Sequence, residues 1–175
     1  PYHQHDGFFQ VLFSPQNASM KYLEECPLLS DMSGDVKFNK LALYVRNAKG
    51  KTNGATLFDG YAEILNLPDP HLTISTRSSA KNVDAQSFVW NSPLDKILGP
   101  AMRLFQFDGN SDLNLKLDVS LNQVPVEVGI DGTLNLVDTE IYYPTLGYEF
   151  THMNGAIEFT NNSVFADSVK AKVQG

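Results

Sequence analysis

The residues best suited to metal chemistry lie at the start of the chain. The stretch HQHD places His3 and His5 on one face of an extended segment, with Asp6 beside them. Two histidines at this spacing could bind a metal ion, but a structural zinc site needs about four ligands. A chain terminus with incidental histidines is the simpler interpretation. We therefore expect no metal site.

Three aspartates recur in similar surroundings, and each is followed by glycine: Asp59, Asp108 and Asp131. A pair of carboxylates can act as general acid and base when the fold holds them close together. Separate strands of one sheet need not do so, and we interpret these aspartates as strand-edge or bulge residues. The sequence lacks the common motifs of serine hydrolases, zinc proteases and nucleotide-binding proteins. We expect a protein that is not an enzyme, with no catalytic residue and no cofactor.

The composition of the chain narrows its partners. A net charge of −7 argues against nucleic acid, because phosphate binding needs a basic face. No apolar run approaches the ~18 residues of a membrane span, so any membrane contact would come from parts outside this chain. The chain begins at Pro1 and ends at Gly175 directly after an alternating run. We interpret residues 1–175 as a single segment of a longer protein.

Alternation of apolar and polar residues dominates the chain and predicts a mainly β fold. The stretch LNLKLDVSL, for example, places its leucines and valine on one face and its polar residues on the other. One-sided strands must bury their apolar face against something. The predicted apolar face consists of Leu41, Leu43, Val45, Leu72, Ile74, Leu113, Leu115, Leu117, Val119, Val126, Val128, Ile130, Leu134, Leu136, Ile157 and Phe159.

Two short helices are predicted, and they are too short to cover a long sheet. The first lies in NASMKYLEECP, with Asn17 or Ser19 as its cap and Pro27 at its end. The second lies in SPLDKILGP, where Ser92 is the N-cap, proline follows at the first helical position, and Gly99 ends the helix.

The pair Asp131–Gly132 decides how the longest alternating stretch folds, because Asp-Gly between such runs is typical of a hairpin turn. A two-residue turn there would pair apolar with polar residues, whereas a continuous strand keeps Gly132 on the apolar face. We therefore predict an uninterrupted strand. The turns are predicted at Asn122–Gln123, at Asp138–Thr139 and, as a three-residue loop, at residues 161–163. The result is a meander of long antiparallel strands.

Four glycines keep the parity of the apolar face, and each follows Asp or Asn: Gly60, Gly109, Gly132 and Gly155. A glycine within a strand marks a bulge, a bend or the close approach of another group. These glycines favour a sheet curved around its apolar face; ordinary strand-entry glycines near turns are the alternative. Periodicity leaves open whether the sheet closes into a sandwich or barrel or curls into an open groove. A long apolar groove would suit an acyl chain.

Several stretches resemble the AsmA-like proteins of Gram-negative cell envelopes, and among them the YhdP family. They are FVWNSPLDKILGP, FDGNSDLNLKLDVSL and the sequence from VEVGIDGTLNLV to the end of the chain. The shared order is a strand with alternating leucines, then G-x-L-x-L from Gly132, then G-x-I-x-F from Gly155, then a final alternating run. Residues 91–175 carry the resemblance most clearly and residues 1–90 less clearly.

The resemblance implies both a fold and a function. The chain would be one section of a repeating β-groove in a periplasmic protein anchored in the inner membrane. Phospholipids would pass along that groove toward the outer membrane, and shelter from water would be worth ~0.8 kcal/mol per buried CH₂. The partners would be phospholipid acyl chains, one of them lying close against Gly132, and neighbouring segments of the same protein. The alternatives are a closed carbohydrate-binding or adhesin-like β-sandwich, with Trp90 or Tyr142–Tyr143 stacking on sugars, and a β-rich enzyme domain.

Overall fold

A computed structural model describes residues 9–21, 24, 26–96, 98–166 and 168–174. Its strands form one sheet in which the paired strands are antiparallel. The strands are β1 (Gln10–Phe13), β2 (Ala18–Met20), β3 (Leu29–Asn39), β4 (Ala42–Thr52), β5 (Ala55–Ile64), β6 (His71–Lys81), β7 (Gln106–Ser120), β8 (Glu127–Tyr143), β9 (Tyr148–Thr160), β10 (Val164–Phe165) and β11 (Lys170–Gln174). The helices are α1 (Asn82–Trp90), a 3₁₀ turn (Pro93–Lys96) and α2 (Gly99–Met102).

The order of the strands confirms the predicted meander. They lie as β1-β3-β4-β5-β6-β7-β8-β9-β10, with β2 on the rest of the β3 edge and β11 on the rest of the β9 edge. The sheet is open and does not close into a barrel. Its helices all fall in the β6–β7 connection. The fold is therefore mainly β, with one open sheet and short helices.

The strand through Asp131–Gly132 is uninterrupted, as predicted, and pairs Leu115 with Gly132. The predicted turn at Asn122–Gln123 is wrong, because the last pair of β7 and β8 joins Ser120 to Glu127 and residues 121–126 connect them. This connection contains Pro125, which has no N–H to donate to a strand ladder. The register differs from the predicted one by two residues, so each side chain keeps its predicted face.

The predicted turn at Asp138–Thr139 is wrong. β8 continues to Tyr143, and the chain reverses over residues 144–147, where Gly147 N–H donates to the carbonyl of Tyr143 at 3.0 Å. Asp138 has φ 51° and coincides with a shift in the register of β8 against β9. A bulge there moves the apolar side from even to odd positions, which a two-residue turn would also do.

The connection between β9 and β10 is one residue tighter than predicted. Thr160 N–H donates to the carbonyl of Ser163 at 2.9 Å, and Val164 pairs with Phe159, so the predicted pairing of Phe159 with Phe165 is wrong. Further along the edge, Lys170 pairs with Asn154. The prediction assumed that one continuous strand lies along this edge of β9. The edge is instead formed by β10 and β11, and the register against β9 changes between them.

The first predicted helix is wrong in its described part. Ala18–Met20 is strand β2, and Ala18 pairs with Met32 of β3. Asn17 has φ 53°, so the backbone at the predicted cap is not the extended conformation that an N-cap adopts. Residues 22, 23 and 25 of the predicted helix lie outside the described residues.

The second predicted helix is shorter than expected. Ser92 caps it as predicted, since Leu94 N–H donates to Ser92 Oγ at 3.3 Å, but the element is a single 3₁₀ turn. Gly99 was predicted to end the helix and instead begins α2. Helix α1 was not predicted. Lys81 precedes it without a side-chain cap, so the usual start signal is missing from the sequence.

Bulges interrupt the strand ladders on either side of β6. Residues with positive φ inside strands coincide with shifts in register, and they fall into one group on β3–β5 and another on β7–β9. Between them the β6–β7 ladder is unbroken from His71 to Lys81. Each bulge increases local twist and bends its strand. The residues are Asp31, Asn47, Asp59, Gly109, Asp138, His152 and Gly155.

Candidate functional site

Apolar side chains from separate strands meet on one side of the sheet, which we call the apolar side. Ile74 pairs with Leu117, and Leu117 pairs with Ile130. In the same way Leu72 pairs with Val119, and Val119 with Val128. Directly paired residues point to the same side of a sheet. The structure therefore brings the predicted residues of β6, β7 and β8 together.

The apolar side continues to both edges of the sheet. Leu43 pairs with Ile64, and on the far side Leu134 pairs with Ile157. Prediction missed the residues that extend this surface toward β1, because their strands are short or interrupted by polar residues. Phe13 and Phe38 stack there with their ring centroids 6.3 Å apart. The residues added by the structure are Val11, Phe13, Val36, Phe38, Ala62 and Ile64.

Two predicted members do not lie on a strand. Leu41 is in the Lys40–Leu41 turn and is 57% exposed. Val126 is in the 121–126 connection and is 43% exposed. The alternating pattern predicted both residues to lie on the apolar face, because Leu41 is two residues from Leu43 and Val126 is two residues from Val128. The ladder, however, ends before each of them.

Much of the apolar side is only partly buried among the described residues. Ile130 and Val119 are buried, whereas Ile74, Leu117 and Val128 are half-buried. The hydrogen bonds that tie α1 to the strands and turns end at Ser111, Asp108 and Asn53, well away from these residues along the strands. We call this part the open region: the apolar-side residues nearest the 40–41, 65–70 and 121–126 connections.

The opposite side of the sheet is polar. The Arg46 guanidinium lies 3.7 Å from the ring centroid of Tyr61, and Thr73 Oγ1 donates to Asp118 at 2.9 Å. A hydrogen bond between the Tyr61 hydroxyl and Glu63 raises the pKa of Tyr61. Such side chains are suited to water. The sheet therefore has one solvated side and one apolar side.

Gly132 leaves room for an aromatic ring. A Cβ on Gly132 would lie 2.3 Å from the ring of Phe159, its cross-strand partner. The group that lies close against Gly132 is therefore this ring, and the expectation that it is an acyl chain is wrong. Phe159 belongs to the predicted lining set, and its ring covers the backbone of β8.

The other three predicted glycines lie at or near bulges. Gly60 follows Asp59, and its Cβ would lie 2.8 Å from the Cβ of Ala48. Gly109 has φ 89° and Gly155 has φ 146°. Positive φ costs other residues energy, which accounts for glycine at the last two positions. Their effect on the curvature of the sheet stays a prediction.

The candidate polar residues have local structural roles. Asp59 forms an ion pair with Arg77, and Asp108 accepts the N–H of Gly109 at 2.7 Å. His152 lies 2.6 Å from Asp138, which links the bulges of β8 and β9. His3, His5 and Asp6 lie outside the described residues. Within the described residues, no three His, Cys, Asp or Glu side chains are grouped to hold a metal ion.

None of the described helices is long and apolar enough to cross a bilayer.

The sequence model of the YhdP protein family matches residues 1–175. The chain belongs to the YhdP family. The match includes residues 1–90, where the motifs were less clear. No solved structure matches this YhdP-family chain.

A relative with an assigned role is the intermembrane phospholipid transporter YhdP of Escherichia coli (strain K12). It is 22% identical to this YhdP-family chain over 171 residues. The aligned region covers 98% of the chain and 13% of the Escherichia coli protein. The chain thus corresponds to a small part of that transporter.

Proposed function

We propose that the open region binds phospholipid acyl chains and that the chain is one section of a groove that carries phospholipid between the inner and outer membranes. The main support for this proposal is the continuous apolar side of the sheet, which runs from β1 to β9 opposite a polar side. An exposed apolar surface of this extent is typical of a binding site. The name of the Escherichia coli relative supports phospholipid as the ligand.

The size of the surface suits an acyl chain. Eight strands lie side by side from β1 to β9. At ~4.8 Å between neighbours they span roughly 34 Å. One leaflet of a bilayer has hydrocarbon about 15 Å deep, half of the ~30 Å core. An acyl chain laid across the strands would therefore stay on apolar side chains along its whole length.

The proposed mechanism is passive. Acyl chains gain ~0.8 kcal/mol for each CH₂ that leaves water, while the headgroup stays at the open mouth of the groove in contact with solvent. Because neighbouring positions offer similar side chains, a lipid can slide without a large barrier. No catalytic residue, cofactor or metal is required. In this proposal the flanking parts of the longer periplasmic protein continue the groove and provide the membrane anchor.

Adjacent residues of β6 give a matched pair of variants for the test. Ile74 points to the apolar side and is half-buried, whereas Ser75 points to the polar side and is exposed. Ile74→Glu places an unpaired charge where acyl chains would lie, and binding of a fluorescent phospholipid should weaken at least about tenfold. Ser75→Glu adds the same charge on the other side and should bind as the unaltered chain does.

Circular dichroism of both variants checks that the fold is kept. Mass spectrometry of lipid extracted from the purified protein gives an independent readout. The proposal is wrong if the unaltered chain yields no phospholipid and binds none, or if both glutamate variants bind equally well while folded.

A further inference from the structure

Helix α1 lies on the apolar side of the sheet. Ser111, whose side chain points to the same side as those of Leu113 and Leu115, donates to Asn82 Oδ1 at 2.5 Å. In return, Asn82 Nδ2 donates to the carbonyl of Asp108 at 2.8 Å. Since the Ser111 side chain points to the apolar side, the start of the helix that accepts its hydrogen bond lies there too.

The same helix also contacts the β4–β5 turn, which lies beside the end of β6 in the register of the sheet. Asn53 Nδ2, in the β4–β5 turn, donates to the carbonyl of Asp84 at 2.9 Å. A Cβ on Gly54 would lie 2.5 Å from the Asp84 carboxylate, so the turn and the helix are in close contact. Strands β5 and β6 separate this turn from β7 in the sheet order. Helix α1 therefore contacts the sheet on both sides of β6, at the end of the strands where the helix begins.

The apolar-side residues near α1 are buried although several are small and polar. We call them the covered region. Thr139 is 0% exposed and Leu136 is 3% exposed. In the open region, by contrast, large aliphatic side chains remain half-buried. The covered region consists of Thr52, Ser78, Ser111, Leu136 and Thr139.

We propose that α1 is a strap that closes the covered region to acyl chains, and that this region becomes accessible only when the strap lifts. This inference rests on the proposed function. Leu136, which pairs with Ser111, continues the apolar side into the covered region. The strap would keep an acyl chain that binds in the open region away from this end of the strands.

The contacts that hold α1 on the sheet are few and mostly polar, which would allow the helix to detach. Its buried residues are Asn82, Gln86 and Val89, and only the last of these is apolar. Gln86 Nε2 donates to the carbonyls of Met102 and Phe105 at 3.0 and 3.1 Å. Isolated helices shorter than ~12 residues are marginal in water, and α1 has 9. A short helix held by a few polar contacts opens more readily than the strands beneath it.

Thiol labelling tests the strap without any lipid. Thr76 and Ser78 point to the apolar side of β6, but Ser78 is 8% exposed and Thr76 is half-buried. Each is changed to cysteine in a Cys26→Ser background and reacted with a hydrophilic maleimide. Ser78→Cys should react at least about tenfold more slowly than Thr76→Cys, because reaction waits for the strap to open.

Removal of the two clamping amides should then open the strap. With Asn82→Ala and Gln86→Ala combined, labelling of Ser78→Cys should rise about fivefold or more while that of Thr76→Cys is unchanged. The matched control is Asn91→Ala, because Asn91 Nδ2, at the C-terminal end of α1, donates to the carbonyl and hydroxyl oxygens of Ser87 within the helix itself. Equal rates for the two cysteines in the unaltered strap, or no change after the amides are removed, would overturn the proposal.

The double alanine variant could unfold, and a rise in the labelling rates of both cysteines would reveal this. Hydrogen exchange of the unaltered chain then tests the strap without that variant. In the unaltered chain, α1 amides should exchange at least about tenfold faster than those of β7 and β8. Exchange of α1 at the rate of the central strands would overturn a strap that lifts.

Lipid mapping connects the strap to the groove. A phospholipid with a diazirine in its acyl chain is crosslinked to the intact chain, and the modified residues are found by mass spectrometry. Crosslinks should fall near Ile74 and Leu117 and reach Leu136 only after the clamping amides are removed. Crosslinks at both places in the unaltered chain would overturn the strap. Crosslinks at neither would overturn the proposed function, while the labelling rates still decide whether the strap opens.

Discussion

The open region and the covered region belong to the same strands, yet they are built differently. In the open region cross-strand neighbours are large and aliphatic, as in the row Ile74, Leu117 and Ile130. In the covered region serine and threonine are buried beside leucine, and a helix lies above them. One sheet thus combines a surface made for contact with something apolar and a surface already occupied by its own chain.

This difference suggests that the covered region contributes mainly to the stability of the fold and the open region mainly to ligand binding. Residues of the covered region are packed by the protein itself, so changes there should cost free energy of unfolding. Residues of the open region lack such a cover among the described elements, so changes there should act mainly on ligand binding. Of the three predictions below, ordered from the largest expected effect to the smallest, the first tests this division directly, and the other two compare packing at glycines and at a bulge.

Two leucine-to-alanine variants give the sharpest contrast. Leu136 is 3% exposed, and Leu136→Ala should lower the free energy of unfolding by about 2–4 kcal/mol, because it leaves a cavity. Leu115 is half-buried, and Leu115→Ala should cost less than half of that, because solvent already reaches the side chain. Urea unfolding followed by circular dichroism measures both.

The same two variants should rank in the opposite order when their effect on phospholipid affinity is measured. Leu115→Ala should weaken binding, whereas Leu136→Ala should leave the affinity of the folded fraction unchanged. If the two variants lose equal stability, the distinction between the regions is wrong.

The glycines make a second comparison. At Gly155 an alanine Cβ would lie 2.8 Å from the Ser168 carbonyl oxygen and 2.9 Å from Val169 Cα, with φ at 146°. Gly155→Ala should therefore cost about 1–3 kcal/mol of stability, because backbone must move. Gly132→Ala should cost less, because it meets the Phe159 ring, which can turn aside.

A double-mutant cycle checks the reason for the smaller effect. Phe159→Ala should relieve most of the cost of Gly132→Ala, and the same change should leave the cost of Gly155→Ala as it was. Additive effects of Gly132→Ala and Phe159→Ala would show that the ring is not the obstacle.

The smallest expected effect concerns a bulge on β4. Asn47 Nδ2 donates to Asp35 Oδ2 at 2.8 Å, and this bond, together with one from Ser14, lowers the pKa of Asp35. Asn47→Gly keeps the positive φ but removes the amide, so the pKa of Asp35 should rise toward the ordinary aspartate value. Titration of the Asp35 carboxyl carbon by NMR measures this change.

The sign of the pH effect follows from the lowered pKa. A carboxyl whose pKa is depressed on folding stabilises the native state above its unfolded pKa, and the stabilisation disappears as pH falls through the folded value. Asn47→Gly should reduce that acid-dependent part, and Ser14→Ala should reduce it less because its bond is the smaller cause. A pKa of Asp35 that does not move in either variant contradicts this account.

The strands were predictable because strand periodicity is simple. A period of two fixes which side each residue faces, and a register error of two residues at the β7–β8 connection left every side correct. For the same reason parity found the continuous strand through Gly132. Parity could not tell the bulge at Asp138 from a turn, because both shift the apolar positions by one.

The helix and the cover were not predictable in the same way. Helix α1 has polar residues at two of its three buried positions, so its buried face carries no apolar periodicity. Its place on the sheet depends on contacts with Ser111 and Asn53, which are remote in sequence. The lining residues near β1 were missed because four residues give too short an alternation.

Both edges of the sheet are broken into short pieces. On one edge, β1 and β2 pair with different parts of β3, and on the other, β10 and β11 pair with different parts of β9. These strands have 4, 3, 2 and 5 residues. Short, interrupted edges offer a poor template for uncontrolled strand addition. A sheet with one exposed apolar side can thus resist aggregation, because its short edge strands do not pair readily with strands of other molecules to form fibrils.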